Sequence, residues 1–235
     1  MFADSPVQVT ALAVTALGAA AAGWLTARRA LAAELAATRY AATHDPLTGI
    51  HNRAGLTAAS DALISAGHAA GGLVVVLLVD LVGFKAVNDT HGHDAGDAIL
   101  TTVAGRLATI AEPAGIAARL GGDEFAAVVT TDPDRRHDDV SQWLTQLHAH
   151  LTIPVSYGGQ TLPVGATIGA SLARPHLPVG AWLTAADKAM YAARAHRTAT
   201  AITSTPHPPD NRPAVRARDK ERPTSHLADI RPRLA

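Results

Sequence analysis

The sequence predicts an α+β domain, with one sheet and helices packed on it, preceded by a helical extension; three observations carry this reading. Residues 72–80, Gly-Leu-Val-Val-Val-Leu-Leu-Val-Asp, form an almost unbroken aliphatic run, as expected of a strand buried on both faces. Two glycine pairs, Gly121-Gly122 and Gly158-Gly159, each lie between apolar runs and read as hairpin turns. Other segments repeat their apolar residues at helical spacing.

The order of elements follows from local signals. Residues 6–27 carry no formal charge and are rich in Ala, Val and Leu, with Trp24 near the end and Arg28-Arg29 just beyond. As a helix this run would reach roughly 33 Å, enough for a hydrocarbon core of about 30 Å. Basic residues follow the apolar run rather than precede it, which fits a cleaved signal peptide poorly. The expectation is a single-pass inner-membrane helix with the rest of the chain cytoplasmic. The alternative is an Ala-rich helix buried against a partner. Residues 28–43 continue the helix as a connector, with Leu31, Leu35, Thr38 and Ala42 along one stripe.

Residues 44–199 are the one segment able to build a substantial core. Asn52 is placed to cap a helix reaching about Ala66. After the aliphatic strand, residues 94–111 form an amphipathic helix with Ile99, Leu100, Val103 and Leu107 in phase. The hairpin around Gly121-Gly122 follows, then a helix over about 134–151. Residues 153–157 and 161–172 read as the second hairpin, and 178–195 as the last helix. Residues 200–235 hold six prolines, mixed charge and almost no large apolar residue, so a disordered tail is expected.

Composition excludes some chemistry. Lys plus Arg and Asp plus Glu are 20 each, so no global charge argues for a nucleic-acid partner. The absence of cysteine removes disulfides, thiolate zinc sites and cysteine nucleophiles together.

The chemistry converges on nucleotide and metal. Arg119-Leu120-Gly121-Gly122-Asp123-Glu124-Phe125 puts two acids at a turn whose glycines leave the backbone bare for a ligand. Asp80 ends the aliphatic strand at the sheet's rim. Clustered carboxylates repel unless a cation neutralises them, and Mg²⁺ favours one or two carboxylates plus substrate phosphates. Such a metal would lower the pKa of an attacking hydroxyl and neutralise a leaving pyrophosphate. In the stretch from Phe84 to Asp97, His91 and His93 at i, i+2 make a weak metal pair and read as polar loop residues. Asn88 and Asp97 are more suggestive. A carboxylate accepts two hydrogen bonds from guanine's N1–H and exocyclic amine, a donor pair that adenine lacks.

These segments resemble the GGDEF domain family, the diguanylate cyclases, which condense two GTP into cyclic di-GMP. The match runs in order through Asp45-Pro46-Leu47-Thr48-Gly49 with Asn52-Arg53, the Asp80 to Asp97 stretch and Arg119 to Phe125. It continues through Ala166-Thr167-Ile168-Gly169-Ala170 and Ala186-Asp187-Lys188-Ala189-Met190-Tyr191. The resemblance implies a fold like the polymerase palm and the class III nucleotidyl cyclases, and a homodimer that joins one GTP from each protomer. It implies that Asp80 and Asp123 ligate two Mg²⁺ or Mn²⁺ per site, assisted by the Leu81 carbonyl, while Glu124 supports metal binding or proton transfer. Asn88 and Asp97 would read guanine. The amides from Val82 to Lys85, with Phe84 among them, and the Lys85 side chain would cradle phosphates, and Gly121 and Gly122 would let GTP lie against the hairpin.

Three positions depart from the family pattern. Val82 replaces the second acid of an Asp-x-Asp pair. In the last helix Arg194 stands where the family has a phosphate-binding lysine, and Arg197 sits one position early with no glycine before it. Arginine still binds phosphate, with different geometry. Glu112 and Gly115 occupy the positions of the Arg and Asp that form the usual inhibitory product site. The expectation is an active cyclase; the alternative is a catalytically silent module that binds GTP or a partner and acts as a membrane-tethered platform.

Overall fold

The computed structural model describes residues 6–131 and 137–204; of the side chains at 6–16 and 132–138 nothing is described. Helix α1 (Pro6–Thr43) leads into a short strand β1 (His51–Asn52), helix α2 (Arg53–Ala69) and the central strand β2 (Val74–Val82). Two consecutive helices, α3 (Phe84–His91) and α4 (His93–Ala111), precede the hairpin of β3 (Gly115–Gly121) and β4 (Glu124–Thr130). Then come α5 (His137–Leu151), the small hairpin β5 (Val155–Tyr157) and β6 (Gln160–Leu162), β7 (Gly165–Ala173), α6 (Val179–Ala195) and β8 (Thr200–Thr203).

The main sheet has six strands in the order β1-β3-β4-β2-β7-β8. β2 sits at its centre, antiparallel to both β4 and β7. Strand alternation sends its side chains to two separate cores. Val75, Leu77, Val79 and Leu81 join the α4 and α5 residues, among them Val103, Leu107 and Leu144. Val74 and Val76 join Leu56 and Ile64 of α2 and Trp182 of α6. The result is a mixed sheet between two helical layers, the expected α+β arrangement.

Local signals explain most boundaries. Asn52 caps α2 as expected, its side-chain oxygen accepting a hydrogen bond from the Gly55 amide at 3.0 Å. Gly83, at φ 77°, turns the chain from β2 straight into α3. Gly169 lets α6 lie close on β7, since a Cβ there would stand 2.0 Å from the Ala186 carbonyl oxygen.

Several expectations change. Residues 161–172 are not one strand: the chain breaks at Pro163 and Val164 into β6 and β7, which belong to different sheets. Proline cannot donate to a ladder, which favours the break there. His91 and His93, expected in a loop, instead end helix α3 and begin helix α4. Residues 200–203 pair parallel with β7 and so belong to the domain; the rest of the expected tail, 205–235, lies outside the described residues.

Helix α1 is continuous from Pro6 to Thr43. The expected membrane span is not supported: among the described residues no helix is long and apolar enough to cross a membrane. Residues 1–5 of the expected first segment, and the side chains of 6–16, lie outside what is described.

Candidate active site at the carboxyl end of the central strand

Registry builds the site. Asp80, near the end of β2, lies opposite Glu124 of β4 on one side and Thr167 of β7 on the other. Directly opposed residues share a face of the sheet. By alternation from Val74 and Val76, that face is the one covered by α2 and α6. Asp80 is only 7% exposed and Asp123 only 8%. The turn comes back to the central strand, because the Leu81 amide donates to the Asp123 carbonyl at 3.1 Å. Three of the sequence-predicted acids, Asp80, Asp123 and Glu124, are thus gathered where β2 meets the β3–β4 turn. The Leu81 side chain points to the opposite core.

The turn needs its glycines. Gly121 and Gly122 have φ of 144° and 56°, values that favour residues without a Cβ. A register shift between Arg119 and Gly121 bulges β3 just before the turn. Sequence reasoning gave Arg119 no role, yet it holds the turn. Its Nε and one terminal nitrogen donate to the Gly122 carbonyl at 3.0 and 2.8 Å. Its other nitrogen reaches both Asp45 oxygens, at 3.2 and 3.3 Å. Asp45 also accepts from the Thr48 amide and hydroxyl at 2.9 and 2.7 Å. Burial is the largest single influence on the Asp45 carboxyl and pushes it up. The Thr48 hydrogen bonds, with the hydrogen bond and charge of Arg119, outweigh it and hold the carboxyl below its ordinary 3.8.

Beyond Val82, which is 55% exposed, Gly83 opens α3. The first intrahelical bond runs from the Val87 amide to the Gly83 carbonyl, so the amides of Phe84, Lys85 and Ala86 precede it. Such a helix start suits a phosphate. Phe84 is half-buried and Lys85 exposed. Asn88 packs on α4 at Gly96, where a Cβ would stand 1.9 Å from its Oδ1. That Oδ1 is buried without a hydrogen-bond partner, as expected of an atom awaiting a ligand donor. Asp97 follows Gly96 on α4 and is exposed. Asn88 thus packs against α4 at Gly96, one residue before Asp97.

The last helix also reaches the acids. Arg194, read as a phosphate ligand, forms an ion pair with Asp80. Arg197 lies beyond the helix at φ 55°, exposed, and takes part in no ion pair among the described residues. Asp187 reaches solvent on the same helix, yet the atoms packed around it desolvate its carboxyl and raise it above its ordinary 3.8. The charges of Arg194 and Lys188 act in the opposite direction.

Among the described residues no group of three or more His, Asp or Glu side chains is placed to hold a metal, neither Asp80, Asp123 and Glu124 together nor a set that includes His91 and His93. Asp80 and Asp123 still fit Mg²⁺ or Mn²⁺, which needs only one or two carboxylates when phosphates supply the other oxygens. A cleft of about 430 Å³, lined by His68, Val74, Leu172, Arg174 and His176, lies elsewhere. It opens at the other end of β2, roughly 20 Å from Asp80 at about 3.3 Å per residue, and contains none of these residues.

Comparison with known proteins agrees with this geometry. The family model described as diguanylate cyclase, GGDEF domain, matches residues 42–200. An uncharacterized 19.3 kDa protein of Streptomyces ambofaciens is 44% identical over 175 residues, covering 73% of this chain and 87% of that protein. The response regulator PleD of Caulobacter vibrioides is 34% identical over 66% of this chain, but this chain spans only 34% of PleD. The crystal structure of a sensory box/GGDEF family protein from Caulobacter crescentus is 37% identical and superposes with a TM-score of 0.59, covering 66% of this chain and 99% of that one.

Proposed function

This chain belongs to the GGDEF domain family of diguanylate cyclases, and on that premise we propose that it condenses two GTP into cyclic di-GMP and two pyrophosphates. The observation that carries the reading is the cross-strand pairing of Asp80 with Glu124, beside the turn carbonyl of Asp123 on the Leu81 amide. It assembles acids from two strands at one rim of the sheet.

Each chain would bind one GTP. Asn88 and Asp97 read the guanine edge, the Asn88 oxygen accepting and the Asp97 carboxylate accepting twice. The start of α3 and Lys85 hold the phosphates, and Gly121 and Gly122 leave room along the turn. Two bound Mg²⁺ or Mn²⁺ at Asp80 and Asp123 would supply charge neutralisation at the α-phosphate and acidify the attacking 3′-hydroxyl. Glu124 stands in the same row to support the cation or take the hydroxyl proton. The 3′-oxygen of one GTP forms its bond to the α-phosphorus of the other as the bond from that phosphorus to the bridging α–β oxygen breaks and pyrophosphate leaves, and the step repeats in the reverse sense.

Two facing protomers are required, and α1 offers the means to bring them together. Leu17, Trp24 and Leu31 recur every seven residues along it, with Leu35 four beyond, and all four are exposed. Membrane attachment forms no part of this proposal.

A second reading is a silent GTP-binding module. Val82, exposed at the rim where the family has a second acid, and the Arg194–Asp80 contact favour it. Incubating the purified chain with GTP and Mg²⁺ or Mn²⁺ separates the two: cyclic di-GMP forms in the first reading, and bound, unreacted GTP is recovered in the second.

A further inference from the structure

Asp80 holds its charge largely out of water, its side chain 9% exposed, and the cation beside it is the guanidinium of Arg194, 39% exposed. A carboxylate so placed requires a compensating positive charge. A divalent cation would meet the same need at the same oxygens, and two cations a few ångströms apart repel. An oxygen facing a guanidinium does not at the same time face a metal.

We propose that Arg194 is an internal competitor for the cation at Asp80, a latch that a polyphosphate must draw aside before the metal seat opens. The inference rests on the reading of Asp80 as a cation ligand. Nucleotide and cation binding then become positively coupled, because whichever removes Arg194 from Asp80 favours the other.

The helix that carries Arg194 is packed on the sheet upstream of it, and the arginine itself has a long, rotatable side chain. Helix α6 is held on β7 at Gly169 and by the Ser171 hydroxyl, which donates to the Trp182 carbonyl at 2.8 Å. Arg194 lies in the last turn of that helix, half-exposed and long enough to swing outward. Its charge also acts on Asp187 of the same helix. A triphosphate offers it more negative charge and a geometry suited to its planar fork. Val82 sharpens the contest: with valine at the second acid position, no neighbouring carboxylate on β2 replaces Asp80 for the metal.

The test is Mn²⁺ binding to the full chain without nucleotide, read from the electron paramagnetic resonance signal of free Mn²⁺. Arg194→Gln and Arg194→Met should each tighten binding about fivefold or more. Lys188→Gln removes a charge from the same helix without touching Asp80 and should leave affinity unchanged. Asp80→Asn should weaken it. Circular dichroism of the metal-free variants identifies any that has not folded, and two substitutions at Arg194 guard against losing one. Unchanged or weaker binding by both Arg194 variants, with Asp80→Asn still weakened, overturns the latch and leaves the cation reading standing. Unchanged binding by Asp80→Asn overturns both. Tightening by Lys188→Gln to the same extent as by the Arg194 variants overturns the latch in favour of general charge.

Discussion

Arg119 and Asp45, 74 residues apart in the chain, form an ion pair at 3.2 Å that ties the turn bearing Asp123 to the loop after α1. The same guanidinium donates twice to the Gly122 carbonyl, so one side chain fixes both the turn and its distance from that loop. Tyr40, near the end of α1, joins the loop from the other side, donating to the Gly49 carbonyl at 3.0 Å. A continuous set of contacts thus runs from α1 to the turn that bears Asp123.

Replacing Arg119 tests that linkage. Arg119→Lys keeps the charge but loses the planar fork that serves Gly122 and Asp45 together. A loss of about 1 kcal/mol in unfolding free energy is expected from the bonds lost at the half-buried Asp45 and the exposed Gly122 carbonyl, measured by urea denaturation. Cyclic di-GMP formation should fall as well. A variant with unaltered stability and turnover would show that the turn is held by other means.

Acid should act through Asp45. Its carboxyl is lowered in the folded chain, so its contribution is fully present above the unfolded value of 3.8 and is lost as pH falls through the lower folded value. Asp45→Asn should therefore be less stable than the native chain near neutrality and lose less stability on going below pH 3.8. Parallel stability curves for the two proteins across that range would contradict the assignment.

Gly96 offers a test of guanine reading that removes no polar group. A methyl at Gly96 would stand 1.9 Å from the Asn88 Oδ1 and displace it. Gly96→Ala should raise KM for GTP and narrow its preference over ATP. Gly105→Ala on the same helix meets nothing within 4 Å; it should leave KM alone and add about 0.5–1 kcal/mol of stability from helix propensity. Equal KM values for the two variants would sink the role given to Asn88.

Much of this was legible from the residues. The aliphatic run of β2, the Asn52 cap and the phase of Ile99, Leu100, Val103 and Leu107 are local signals, and each element formed with shifted ends: β2 runs on past Asp80 to Val82 and α2 on to Ala69. Helix α3 escaped because it is short, polar and bounded by Gly83 and Gly92, which read as loop punctuation. β8 escaped because its four residues are specified by parallel pairing with β7, a partner some 32 residues earlier at Ile168↔Thr200. At the site, Asp80, Asp123 and Glu124 were legible as acids at a strand end and a turn. The contacts of Arg119 with Asp45, and of Arg194 with Asp80, depend on tertiary packing that no local pattern encodes.

The exposed seam of α1 gives a concentration test. Removing residues 1–38 takes away Leu17, Trp24, Leu31 and Leu35 but keeps Tyr40 and its bond to Gly49. Specific activity of the shortened chain should fall at dilute protein and recover as it is concentrated, because the helix no longer raises the local concentration of a second protomer. Equal activity per molecule at every concentration would remove α1 from the dimer.

The central claim is that Asp80 and Asp123 form a cation-dependent centre joining two GTP. Its most direct test is the conversion of GTP by the purified full chain in Mg²⁺ or Mn²⁺, set beside Asp80→Asn and Asp123→Asn, with products resolved by chromatography. Both substitutions keep shape and remove the charge that a metal requires. The account predicts cyclic di-GMP and pyrophosphate from the native chain and none from either variant, with all three folded by circular dichroism. Near-native product from either variant, or none from the native chain at any protein concentration, would contradict it.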